Sequence, residues 1–247
     1  LPEDQIDIYF ARANILHKKK IYKNSSKNLQ LANDLKLHLH PTNANTLINK
    51  SITLLMESDK QASNKIESTN FPESIFIVGM PRSGSTLLES ILSMRNDVYD
   101  LGEVNILEES FVEFKKFNQE TKLAELYYGK VNNKTKLNAS TNKWLYNYQY
   151  AGIIASQIFN AKIIHCYRNP LDNILSIFRA HFARGNEYSS SLIDCAKVYL
   201  NQEDIMINYK NRYRSKIYSF NYDSLVSNPN KEIKSLISWL GWEWDES

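Results

Sequence analysis

The chain has only two cysteines in 247 residues, Cys166 and Cys195. With no C-x-x-C pair, a disulfide framework and a cysteine-based zinc site are both disfavoured, and no metal is expected. No stretch reaches the run of about 18 apolar residues that a membrane span needs, and no signal-peptide pattern is visible. The expectation is a cytoplasmic protein without a membrane segment, although the sequence begins at Leu1 rather than Met. Charge of one sign is also scarce. The net charge of +3, from 30 Lys+Arg against 27 Asp+Glu, is too small to imply a nucleic-acid partner. It suits a local cationic pocket for an anion.

The remaining composition is ordinary for a globular protein, with 43% hydrophobic and 23% charged residues. The length suits one sizeable α/β domain with a small helical unit. Residues 5–16 and 26–37 carry apolar positions at helical spacing. Ile8, Ala11, Ile15 and Leu16 are expected to face inward in the first, and Leu29, Ala32, Leu35 and Leu37 in the second. A polar turn, His17 to Asn24, separates them and Pro41 closes the pair. A third helix is expected over 45–57, with Leu47, Ile48, Ile52 and Leu55 inward, and a polar linker over 58–72. These boundaries divide the chain at 1–70 and 71–247.

The informative stretch is IFIVGMPRSGSTLLESIL, residues 75–92. Ile75 to Val78 is a short β-branched run suited to a strand buried on both faces. Gly79 to Thr86 is a turn of Gly, Pro and Ser, and Leu87, Leu88, Ile91 and Leu92 then recur at helical spacing. Strand, small-residue loop and helix together aim unpaired backbone N–H groups and a helix dipole at an anion. A Walker loop reads G-x-x-x-x-G-K-[ST]. Here Gly79, Gly84 and Thr86 keep that spacing, but Ser85 stands at the Lys position and the cation is Arg82. The loop therefore reads as a phosphate or sulfate site outside the ordinary NTPase pattern.

Further strands are expected at 97–101, 161–167 and 216–221, alternating with helices at about 104–117, 146–159, after Pro170 and after Asn228–Pro229. The helix after Pro170 is expected to bury Leu171, Ile174, Leu175, Phe178 and Phe182. Lys- and Asn-rich residues 121–140 read as irregular after a helical start. This alternation implies a parallel sheet sandwiched by helices, a P-loop-type α/β fold, with ligands beyond the carboxyl ends of its strands. The loops after Val78, Leu101, Tyr167 and Asn221 would then share one edge. They carry Arg82, Glu103, Arg168 and Tyr222, with Lys143 a candidate neighbour. Asp172, Ser176 and Arg179 share a helical face.

PRSGSTLLE resembles the 5′-phosphosulfate loop of sulfotransferases. It is most similar to the branch of tyrosylprotein sulfotransferases and bacterial sulfotransferases with tetratricopeptide repeats. YRNPLDNILSIF resembles the family's 3′-phosphate segment, whose Arg and Ser, eight residues apart, correspond to Arg168 and Ser176. A further Arg of that segment corresponds to Ala180, with Arg179 next to it. LGEVN is similar to the family segment carrying the catalytic base, here Glu103. TNK resembles a TDK-like segment with Asn142 in place of Asp, and Lys143 matches its Lys. Tyr222 in FNYDSLV matches a Tyr that packs near the cofactor. The helical pair of 1–41 looks like one tetratricopeptide repeat.

The resemblance covers residues 71–245 and implies sulfuryl transfer from 3′-phosphoadenosine 5′-phosphosulfate (PAPS), leaving adenosine 3′,5′-bisphosphate. The acceptor would be a hydroxyl or amine on a peptide, glycan or small molecule. Arg82, Ser83, Gly84, Ser85 and Thr86 would hold the 5′-phosphosulfate, Arg168 and Ser176 the 3′-phosphate, and Tyr222 the cofactor. Glu103, Arg82 and Lys143 would be catalytic. Relatives continue into a basic closing segment, so the domain is expected to be truncated at its C-terminus. The residues also admit plainer readings: an exposed ion pair at Arg168, a helix-start carboxylate at Glu103, a solvated Lys143 and a core Tyr222. A P-loop kinase or NTPase, or a non-catalytic module binding a protein partner through its helical N-terminus, are the alternative functions.

Overall fold

The computed structural model describes residues 1–61, 71–117 and 121–244. Helices α1 (Pro2–Lys18), α2 (Tyr22–Leu39) and α3 (Ala44–Gln61) precede β1 (Glu73–Gly79) and α4 (Ser85–Leu92). Strand β2 (Val98–Asp100), α5 (Ile106–Lys116), α6 (Leu123–Asn132) and β3 (Ala139–Asn142) follow. A 3-10 turn at Leu145–Tyr150 leads into α7 (Ala151–Gln157), β4 (Ala161–Tyr167) and α8 (Pro170–Phe178). The chain continues through α9 (Leu192–Arg212), β5 (Ile217–Asn221), α10 (Tyr222–Ser227) and α11 (Pro229–Leu240). It forms two compact units, residues 1–50 with 170–201, and residues 51–169 with the chain from 202 onward.

In the second unit the strands run in the order β2-β3-β1-β4-β5. All four pairings are parallel. Parallel strands need helical crossovers, and these cover both faces. Alternate residues of β1 divide between the faces. Ile75 and Ile77 pack with Leu88 and Leu92 of α4 and Leu236 and Leu240 of α11. Phe76 and Val78 pack with Leu107, Tyr127, Ile154 and Met206 on the other side. The expected α/β sandwich is therefore present, with the carboxyl ends of all strands on one edge.

β3 is a departure from expectation. Ala139–Asn142, where no strand was expected and whose first two residues fall in the stretch read as irregular, form an interior strand paired on both sides and buried along its whole length. Its residues, ASTN, are small and mostly polar, so no apolar run announces it. Flanking strands satisfy its backbone, and Thr141 Oγ1 donates to Glu89 Oε1 of α4 at 3.1 Å. The helix expected over 146–159 is a 3-10 turn followed by α7. The basic run from Lys210, read as a solvated helix end, closes the long α9, whose extent the sequence reading did not give, and the short α10 is also new.

In the first unit α1 buries Ile6, Phe10 and Ala13, whereas Ile8 and Ile15 are exposed, contrary to the expected face. The sequence has apolar residues around much of this helix, so periodicity alone was ambiguous. The chosen stripe puts small Ala13 beside α2, where Ser25 Oγ donates to Ala13 O at 2.7 Å. Leu29 and Ala32 of α2 and Phe178 of α8 complete this cluster, and Asn33 Nδ2 donates to Phe178 O at 3.1 Å. That docking turns Asn173, Ile177 and Phe178 of α8 inward and leaves Leu171 and Leu175 exposed, again a correction. In α3, Leu54 is buried and Ile52 is exposed. The residues after Ser58 expected to open a linker continue α3 to Gln61; 62–70 lie outside the described residues.

Candidate active site

The loop between β1 and α4 adopts a backbone that its composition permits. Gly79 has φ 143°, and a Cβ there would lie 2.2 Å from the carbonyl oxygen of Cys166 on β4. Only glycine lets β1 end so close to its neighbour. Arg82 is itself left-handed, at φ 67°. A non-glycine residue held there is strained by roughly 1–3 kcal/mol, and such strain gathers at functional sites. The Ser83 side chain is buried, and its Oγ has no hydrogen-bond partner among the described residues. Ser85, buried, and Thr86, exposed, open α4, whose first turn is capped by no side chain among the described residues. An orphaned hydroxyl at an uncapped helix start fits an anion that accepts hydrogen bonds.

Tyr222 ties this loop to the rest of the edge. A Cβ on Gly84, where φ is 92°, would lie 2.2 Å from Cδ2 of the Tyr222 ring. The Arg168 guanidinium carbon lies 5.0 Å from the centre of the same ring, within cation–π range. Asp223, next in the chain, is 3.8 Å from Arg168 Nε and accepts from the backbone N–H of Asn169 at 2.7 Å. Asn221 caps α10 by accepting from the N–H groups of Asp223 and Ser224. The turns after β1, β4 and β5 are thus joined through one aromatic ring.

A second grouping follows β2 and β3. Lys143 Nζ donates to Glu103 Oε1 at 2.7 Å. Lys143 is buried, its side chain 6% exposed, whereas that of Glu103 is 64% exposed. The solvated-lysine reading does not hold. The backbone fixes the pair, with Lys143 N donating to Gly102 O at 3.0 Å. Asn142, standing where the resembling segment has Asp, accepts from Trp144 N and Asn147 Nδ2, each at 3.1 Å. Its carbonyl oxygen does the turn-capping that a carboxylate oxygen would do.

Sequence reasoning missed Glu89. It lies on α4 one turn beyond Ser85, is 4% exposed, and places Oε2 at 3.6 Å from Lys143 Nζ. Burial, and then the neighbouring Asp100 carboxyl, push its pKa up to about 7, against the opposing pull of Lys143 and Thr141. Its signal was a charged residue on the buried stripe that holds Leu88 and Leu92. Of the predicted residues, the second unit contains all but Ser176. Ser176 lies on α8 in the first unit, where the neighbouring Arg179 meets His17 Nε2 through Nη1 at 3.2 Å.

The family model described as the sulfotransferase family matches residues 72–246. The chain belongs to the sulfotransferase family. A relative from Aquifex aeolicus (strain VF5), described as an uncharacterized protein, is 29% identical over 198 residues. That match covers 70% of this chain and 26% of the relative, so this sulfotransferase-family chain spans about a quarter of its relative's length. The sulfotransferase domain of the Synechococcus PCC 7002 olefin synthase superposes with a TM-score of 0.55 at 18% identity, covering 74% of this chain and 78% of that one. The sulfotransferase domain from the curacin biosynthetic pathway gives 0.51 at 18% identity, with coverage of 72% and 77%. Mouse sulfotransferase SULT7A1, solved with PAP, gives 0.50 at 14% identity, with coverage of 78% and 65%. At these identities the structures establish a shared fold. No described helix is long and apolar enough to cross a membrane.

Proposed function

We propose that the chain transfers a sulfuryl group from PAPS to a hydroxyl or amine acceptor. The observation that carries this reading is the Tyr222 ring, packed on Gly84 of the β1 loop and under Arg168. It brings the two segments read as anion-binding to one sheet edge, which suits a donor that carries phosphates on both the 5′ and the 3′ positions of one ribose. In this reading Arg82, Ser83, Ser85, Thr86 and the loop amides hold the 5′-phosphosulfate. Arg168 holds the 3′-phosphate, and Tyr222 packs on the nucleotide. Arg and Lys supply the positive charge that Mg²⁺ supplies in kinases.

The bound donor supplies the sulfuryl group, which exchanges its S–O bond to the 5′-phosphate for a bond to the acceptor. Glu103 takes the acceptor proton and, being exposed, returns it to water. Lys143 opposes the negative charge that develops on the leaving phosphate oxygen. The exposure of Glu103 suits an acceptor arriving from solvent, whether peptide, glycan or small molecule. Helices α1 and α2 are proposed as a surface for a protein partner.

Thermal melting with nucleotides tests the donor. A ligand that binds only the folded state stabilises by about 2.7 kcal/mol at a hundredfold excess over its Kd. Adenosine 3′,5′-bisphosphate is expected to raise Tm without added metal, and by more than adenosine 5′-phosphate or ATP with Mg²⁺. Equal shifts from the two adenosine phosphates would remove the 3′-phosphate assignment; a larger shift with ATP and Mg²⁺ would favour the kinase-like alternative.

A further inference from the structure

Three carboxylates surround the single ammonium of Lys143 and its neighbourhood. Glu103 meets it from the turn after β2 at 2.7 Å, and Glu89 meets it from α4 at 3.6 Å. Asp100 lies beyond Glu89 and accepts the backbone N–H of Gly102 at 2.6 Å. Lys143 and Glu89 are both buried, with side chains 6% and 5% exposed. A carboxylate is costly to bury unless it is paired, and the partners that Glu89 finds are the Thr141 hydroxyl and the Lys143 ammonium.

We infer that Glu89 is a positioning residue for the Lys143–Glu103 pair, holding the Lys143 ammonium in place from the phosphate-loop helix while Glu103 is engaged with the acceptor. The inference rests on the sulfuryl-transfer reading and adds to it a residue and a division of labour. As Glu103 takes the acceptor proton it becomes neutral, and its hold on Lys143 weakens. The partner that remains is Glu89, whose Oε1 is fixed by the Thr141 hydroxyl at 3.1 Å. Glu89 lies four residues, about 6 Å of rise, beyond Ser85 on α4. The element that presents the anion-binding turn therefore also sets the lysine's position.

The hold depends on the protonation of Glu89. The charged groups facing it are Asp100 from β2 and Lys143 after β3, with Glu103 on the far side of that ammonium. β3 contributes the neutral Thr141, and α4 has no other ionisable side chain. Glu73, at the start of β1, is paired with Lys162 at 3.0 Å. Ionised Glu89 anchors Lys143 by charge, and protonated Glu89 does not. Glu89→Gln therefore mimics the acid form at every pH.

The test compares the turnover of PAPS by wild type and Glu89→Gln, with a panel of phenols and aliphatic alcohols, between about pH 6 and pH 8.5. In parallel, the affinity for adenosine 3′,5′-bisphosphate is measured. The variant is expected to lose about 10-fold in kcat at the alkaline end, the scale of a modest misplacement, and to converge on wild type at the acid end. Bisphosphate affinity should stay within about 2-fold. A ratio constant with pH, an unchanged or higher alkaline rate, or a parallel loss of bisphosphate affinity overturns the inference. A second arm needs neither turnover nor that variant. In protein labelled with carboxyl-¹³C glutamate, a resonance titrating near neutrality should shift its midpoint upward in Lys143→Met, and an unmoved midpoint overturns the Glu89–Lys143 coupling. This arm separates a failure of the positioning role from a failure of sulfuryl transfer itself.

Discussion

Gly84 and Tyr222 occupy the same small space: a single added carbon on Gly84 would fall 2.2 Å from the tyrosine ring. The contact makes the loop between β1 and α4 depend on the turn after β5, and through that ring on Arg168. Gly84→Ala is expected to force the ring aside and strain a left-handed backbone, costing roughly 1–3 kcal/mol of stability. Bisphosphate affinity should fall at least about 10-fold, as loop and ring lose register. Tyr222→Phe keeps the ring and should bind nearly as wild type, whereas Tyr222→Ala should not. Calorimetric titration of the three variants checks this, and equal affinities for Phe and Ala at position 222 would exclude the ring.

Arg82, on a left-handed backbone, takes the part of the Walker lysine in the proposed reading of the loop. Arg82→Ala is expected to slow transfer from PAPS by about 10²-fold or more, the range for loss of a preorganised charged donor. Because alanine is also strained at that φ, Arg82→Gly serves as the control with a relaxed backbone. If both variants turn over like wild type, the loop lies outside the reaction.

Glu103 decides between catalysis and binding alone. Glu103→Gln is expected to lower transfer about 10²–10⁴-fold, the usual worth of a general base, with bisphosphate affinity nearly unchanged. A carboxylate serving only the start of α5 would instead change stability by a few tenths of a kcal/mol and leave the rate alone. Rate and affinity measured on the same variant tell these apart.

Glu89 gives a pH signature in stability. Folding raises its pKa from 4.5 to about 7, chiefly through burial. The folded state then binds the proton more tightly than the unfolded state, so this group's contribution is fully present below about pH 4.5. It is lost progressively up to about pH 7 and is constant above that. Glu89→Gln removes the dependence. The variant should be more stable than wild type near pH 8, by on the order of 1–3 kcal/mol allowing for solvent screening, with the advantage shrinking toward pH 4.5. Urea denaturation across that range measures it, and an advantage that grows toward acid would reverse the assigned sign.

The sequence by itself determined the elements whose chemistry is local. β1, α4, β4 and α11 follow from contiguous apolar runs, helical spacing and the Gly, Asn-Pro and Gly signals at their ends. The strand-turn-helix that carries the proposed anion site was legible for the same reason, since its small residues and displaced arginine are consecutive in the chain. The tertiary structure alone decided what depends on distant partners. β3 is a strand because two neighbours satisfy its polar backbone, not because ASTN favours one. The buried stripe of α1 was chosen by packing against α2 and Phe178, where several stripes were apolar enough. Glu89, which the sequence reading passed over, meets Lys143 and Asp100 only once folding brings the ends of β2 and β3 against α4. Periodicity records which residues leave water. It does not record which buried charges meet, because that depends on the order of strands in the sheet.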